Sequence, residues 1–149
     1  MDALTILKQK SRPVYTVSIN QSIDDAIHLM AAKNVGVLIA TDGGQPVGIF
    51  GERDVFRHYQ LNRQGAFADI KIKSAMSAKL ISAEPTDEIT DLITVMIKSD
   101  LEHLPVVEDN HILGLLALRD LLEFQLESLT AEIHQLREYI DDLHAAGQD

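Results

Sequence analysis

GIFGERD (48–54) and GLLALRD (114–120) are one phrase written twice, 66 residues apart. Each opens on glycine, passes through apolar residues and closes on Arg-Asp. A shift of 66 lays residues 23–59 over 89–125 without a gap, with eight identities in 37 positions. Ile23 meets Ile89, Asp25 meets Asp91, Ile27 meets Ile93, Met30 meets Met96 and Leu38 meets Leu104. Gly48, Arg53 and Asp54 then meet Gly114, Arg119 and Asp120. Such self-similarity marks two copies of one supersecondary unit.

Each copy carries the same signals. In the first, VYTV (14–17) is β-branched and short. Ser22 with Asp25 three residues on forms a capping-box pattern, and Ile23, Ile27 and Met30 follow the helical period. VGVLIAT (35–41) and PVGIF (46–50) flank DGGQ, whose glycines accept the positive φ of a hairpin turn. A helix follows from GERDVFRHYQL. The second copy offers LIS (80–82) as its first strand and Thr86 as a helix start. HLPVV (103–107) and HILGLLA (111–117) form its hairpin, and a helix begins near Leu118. The expected order is β-α-β-β-α, twice, an α/β (α+β) fold. Unit one is expected at 10–66, unit two at 67–122 and a C-terminal helix at 123–149. Neither unit of about 60 residues buries much core alone, so the two pack as a pseudo-twofold pair.

The final helix carries its own pattern. Leu122, Leu126, Leu129, Ile133, Leu136, Ile140 and Leu143 are spaced 4, 3, 4, 3, 4, 3. Ile at two of the three a positions and Leu at every d position favour a parallel two-stranded coiled coil. The alternative is an amphipathic helix folded back on the body, whose apolar stripe is usually wider. A homodimer is expected. Residues 121–149 hold seven acids and one base, so neutralising them at low pH is expected to tighten the pair.

Composition narrows the function. The net charge of −10 argues against nucleic acid, which needs a basic face. The chain has no cysteine, which excludes disulfides and thiolate chemistry. There is no signal-peptide pattern and no apolar run near 20 residues, so no membrane span and a cytoplasmic location are expected. The six histidines form no H-E-x-x-H metal pair, and no nucleophile elbow or P-loop occurs. Catalytic and metal residues are therefore none, and the chain is expected not to be an enzyme.

The repeated unit, the HLPVV strand and the Gly-to-Arg-Asp phrase closely resemble CBS domains, and two in tandem resemble a Bateman module. The likeness covers roughly residues 10–125. The opening TILKQK with VYTVS and the tail LREYIDDL look like stand-alone bacterial CBS-pair proteins. The resemblance implies a signal-transduction protein that binds AMP, ADP, ATP or NAD(H) as a regulatory ligand between the units, with no cofactor required. It implies that Asp54 and Asp120 accept from a ribose diol and that Arg53 and Arg119 face phosphate. Tyr15, Thr16 and Val17, with Leu80, Ile81 and Ser82, would line base pockets, and Val37, His103 and Pro105 would add contacts. Where the family usually has Ser or Thr, this chain has Gly51 and Ala117; where close relatives tend to have Arg, it has Glu102. The Asp54 side, with Arg57 and His58 near, is the expected phosphate site. An alternative is a ligand-free interaction module that dimerises and docks an unknown protein partner through its acidic helix. Each feature also has a plain structural reading: the aspartates as helix caps, Gly48 and Gly114 as packing sites, Pro105 as a strand feature, Arg119 as an ion-pair partner of tail acids.

Overall fold

The computed structural model describes residues 1–10, 12–61, 66–76 and 80–147. Strands β1 (Thr16–Ser18), β2 (Val37–Asp42) and β3 (Gln45–Gly51) form one sheet; β4 (His103–Glu108) and β5 (His111–Ala117) form another. β1 runs parallel to β2, and each hairpin is antiparallel. Helices α1 (Ala3–Gln9), α2 (Ile23–Lys33), α3 (Glu52–Leu61), α4 (Ile72–Ala75), α5 (Ile89–Lys98) and α6 (Leu118–Ala146) complete the elements.

The repeat is visible in backbone detail. Both hairpin turns place two residues at positive φ: Gly43 and Gly44 in the first, Asp109 and Asn110 in the second. That is the geometry two-residue turns need to match strand twist. α2 and α5 each lead into a left-handed residue, Asn34 and Asp100, which breaks the helix and aims the chain into the next strand. The Ser22–Asp25 capping box forms at the start of α2.

Two expectations fail in the second unit. The strand at 80–82 does not form; Ala83 alone makes a parallel bridge to Val106. In the first unit the Ile39 N–H donates to the Tyr15 carbonyl. The matching residue in the second unit is Pro105, which has no N–H, so the ladder cannot extend back to Ile81. Thr86 also does not start α5. The helix begins at Ile89, whose N–H donates to the Met1 carbonyl, while the terminal ammonium pairs with Glu88.

The N-terminus reaches that position because the leading segments are exchanged. α1 packs on the second unit: Ala3, Ile6 and Leu7 join Met96, Leu104, Val106, Leu116 and Leu121 in one core. Ile72 and Ala75 of α4 join Val17, Ile23, Met30, Leu38 and Phe50 in the other. Gly114 is a packing site for this reason, since a Cβ there would stand 2.7 Å from Leu7 Cδ2.

α6 does not fold back. Asp120 and Leu121 are its buried residues, Phe124 packs on the second core, and every described residue from 126 onward is exposed.

Candidate functional site

The turn from β3 into α3 builds the first half of the site. Asp54 lies in the first turn of α3, and its Oδ2 accepts from the Gly51 N–H at 2.9 Å. This satisfies one of the donors a helix start leaves unpaired. Its Oδ1 accepts from Arg57 Nη2 at 2.6 Å, and Arg57 also donates to the Ala75 carbonyl. The carboxylate is therefore a helix cap, with its side chain 16% exposed. Gly51 is set by crowding: a Cβ would meet the Gly36 carbonyl oxygen at 2.9 Å.

Beside Asp54 opens a cleft of about 300 Å³ that both units line. Gly36, Val37, Gly51, Arg53, Asp54 and Arg57 come from the first unit; Asp100, Leu101, Glu102 and His103 come from the second. Arg53 spans the mouth. Its Nη1 donates to the carbonyl and carboxylate of Asp100, and its Nη2 donates to Glu102 Oε1 at 2.6 Å. Glu52, Asp54, Asp100 and Glu102 face two arginines, so the cleft lining is net −2 with His103 neutral. Both arginines are already paired with acids.

The second half differs although the backbone repeats. A cleft of about 620 Å³ is lined by Ala117, Arg119, Glu102 and His103, with Leu122, Glu123, Leu126 and Arg12. Position 123 matches Arg57 in the repeat but holds Glu, so no helical arginine reaches Asp120. The cation comes from the chain's N-terminal segment. Arg12 Nε donates to Asp120 Oδ2 at 2.6 Å and Nη2 to Oδ1 at 2.9 Å, while Lys10 Nζ stands 3.0 Å from Oδ1. The Asp120 side chain is 4% exposed. The Arg12 hydrogen bonds, backed by Lys10, outweigh burial and hold this carboxyl down at about 2. Arg119 pairs with Glu123, and so does Lys10. His103 lines both clefts; burial first, then the Arg12 charge, push its pKa below the usual histidine value.

The remaining expected residues lie elsewhere. Val17 is core, Thr16 is exposed on β1, and Tyr15 packs on the first core with Lys33 Nζ 5.5 Å from its ring centre. Leu80, Ile81 and Ser82 line neither cleft among the described residues. Pro105 pairs with Leu115 inside the hairpin, and its carbonyl accepts from Ala83. His58 does not line the first cleft. Arg57, expected beside the Asp54 phosphate site, lines the cleft; Asp100, Leu101 and Arg12 are not among the expected residues, and no short motif signals them. Among the described residues no group of three or more His, Asp or Glu is placed to hold a metal, and no helix is long and apolar enough to cross a membrane.

The CBS domain family model matches residues 7–61 and 69–127. The CBS domain-containing protein YhcV of Bacillus subtilis is 31% identical over 118 residues, spanning 79% of this chain and 83% of that protein. A CBS-domain protein of Burkholderia ambifaria superposes with a TM-score of 0.77 at 32% identity, over 85% of this chain and 95% of that one. The CBS domain pair of protein MJ0100, crystallised with 5′-methylthioadenosine and S-adenosyl-L-methionine, shares the fold at a TM-score of 0.72 and 22% identity, over 86% of this chain and 98% of that one. With its phrase written twice, its two matched segments and its paired sheets, this chain belongs to the CBS domain family.

Proposed function

We propose that this CBS pair is a regulatory, non-catalytic module that takes an adenosine-containing ligand into the cleft beside Asp54. The observation that carries this reading is a cleft lined by both units with a carboxylate at its helix start. A carboxylate accepts from both hydroxyls of a ribose with charge-assisted strength. A protein of the same fold is crystallised with two adenosyl compounds, which supports the ligand class.

The charge of the cleft selects within that class. Four acids surround two arginines that are already paired. A polyphosphate would bring several negative charges to a lining that is already negative. An adenosine that is neutral or cationic suits it better than ATP. Binding would turn Asp54 from Arg57 toward the ribose and disturb the Arg53 span between the units. A ligand acts on the pair only through such a difference in affinity between two arrangements.

Titration calorimetry with adenosine, 5′-methylthioadenosine, S-adenosylmethionine, AMP, ATP and NAD tests this. At a hundredfold excess over Kd, the bound form should gain about 2.7 kcal/mol of stability. Asp54→Asn, which keeps an acceptor for Gly51, should weaken binding at least about tenfold. No heat and no melting shift from any member at millimolar concentration would overturn the proposal. It would favour the second reading, a ligand-free interaction module, which draws support from Arg53, Arg57 and Arg12 each being paired with acids within the chain.

A further inference from the structure

We infer that α6 is a pairing helix for a second copy of this chain, parallel and in register, with Glu132 of each copy facing Arg137 of the other. The helix leaves the body after Gln125 and continues for a further 21 residues, about 32 Å at the α-helical rise. Leu126, Leu129, Ile133, Leu136, Ile140 and Leu143 form one unbroken seam along it, each between 46% and 66% exposed. Six large apolar side chains in a line on a protruding helix form a surface that water disfavours.

Charge decides what covers the seam and in which direction. With Ile133 and Ile140 at a, position 132 is g and position 137 is e. In a parallel pair, g of one helix faces e of the other five residues on; in an antiparallel pair, g faces g and e faces e. Glu132 and Arg137 are five apart and opposite in sign. Among the described residues neither has an ion-pair partner within its own chain, whereas His134 and Glu138 on the outer side do pair. The parallel arrangement therefore satisfies both, once on each flank of the seam. The remaining acids of this stretch, Glu127, Glu138, Asp141 and Asp142, fall at b, f, b and c, turned away from the partner. A basic partner of a different kind would need the acids on the seam edges, where only Glu132 stands in this stretch.

The chain lacks cysteine, so single-cysteine variants report orientation directly. Leu143→Cys sits at the last d position, and in a parallel pair the two thiols lie within disulfide reach. Under mild oxidation the full-length Leu143→Cys chain should become a covalent dimer. In light scattering at micromolar concentration the native chain should have twice the chain mass. Ile133→Asp, at an exposed position, should be monomeric with the body's melting transition retained. Glu132→Arg and Arg137→Glu should each raise the dimer dissociation constant about tenfold, and the double exchange should restore it. A monomeric native chain, a dimer that survives Ile133→Asp, or a dimer in which Leu143→Cys does not cross-link would each overturn the inference. So would a double exchange that fails to rescue.

Discussion

Arg12 grips both carboxylate oxygens of Asp120 across 108 residues of sequence. It stands where the first unit uses Arg57, one helical turn from Asp54. The chain has kept a cation on each repeated aspartate while changing where the cation comes from. In the second unit that change also fastens the N-terminal segment to the root of α6.

Asp120→Asn is expected to lose about 2 kcal/mol of stability at neutral pH, measured by urea unfolding, because the folded pKa is held from 3.8 down to about 2. The folded state keeps this carboxyl charged to lower pH than the unfolded chain does. Its contribution is therefore complete above the unfolded value and fades as pH falls toward about 2. The native chain should lose stability through that window, and Asp120→Asn should lose less.

His103 acts at higher pH. Burial and Arg12 depress its pKa, so below the ordinary value of 6.5 the unfolded chain takes up a proton that the folded chain resists. Its share of stability is full above that value and falls on acidification. His103→Gln should flatten the difference in unfolding free energy between about pH 7.5 and 5.5. The exposed His28, whose pKa is raised by the Asp24 carbonyl and charge, works in the opposite direction. The native and variant chains must therefore be compared with His28 present in both.

Gly51→Ser, which restores the hydroxyl usual in the family, is expected to destabilise by about 1–3 kcal/mol rather than strengthen ligand binding. The added Cβ meets backbone, the Gly36 carbonyl, which cannot swing aside as a side chain can. A fall in melting temperature with no gain in affinity checks this.

Much of this was readable in the residues, and the failures have physical causes. The hairpins and the central helices repeat at 66 because each is a local pattern fixed by nearby residues, and the Ser22–Asp25 capping box was legible at the start of α2, although α5 begins after Glu88 without one. The exchanged leading segments were not readable. The Ile23 N–H donates to the Ile70 carbonyl and the Ile89 N–H to the Met1 carbonyl, so there the acceptors repeat at 69 and not 66. A three-residue change of spacing hides that part of the repeat. The second unit's first strand failed at one atom, the hydrogen that Pro105 lacks. The site residues were harder: Asp100, Leu101 and Arg12 reach their places through tertiary packing that no short motif announces.

Pro105→Val should let that missing bond form. The new amide at 105 is expected to donate to the Ile81 carbonyl, as Ile39 does to Tyr15. Hydrogen exchange should show slow exchange at position 105. Fast exchange there would mean that the segment at 80–82 is held off the sheet by something other than proline.

Leu122 and Leu126 line the second cleft and also open the apolar seam of α6. They cannot be wholly given to both surfaces at once. A group lodged beside Arg12 and Arg119 would alter the apolar area left for a neighbouring copy, and by reciprocity the neighbour would alter the room left for the guest. With a guest in that cleft and a second copy on the seam, the root of the long helix would be a joint at which chemical occupancy and subunit association exchange free energy.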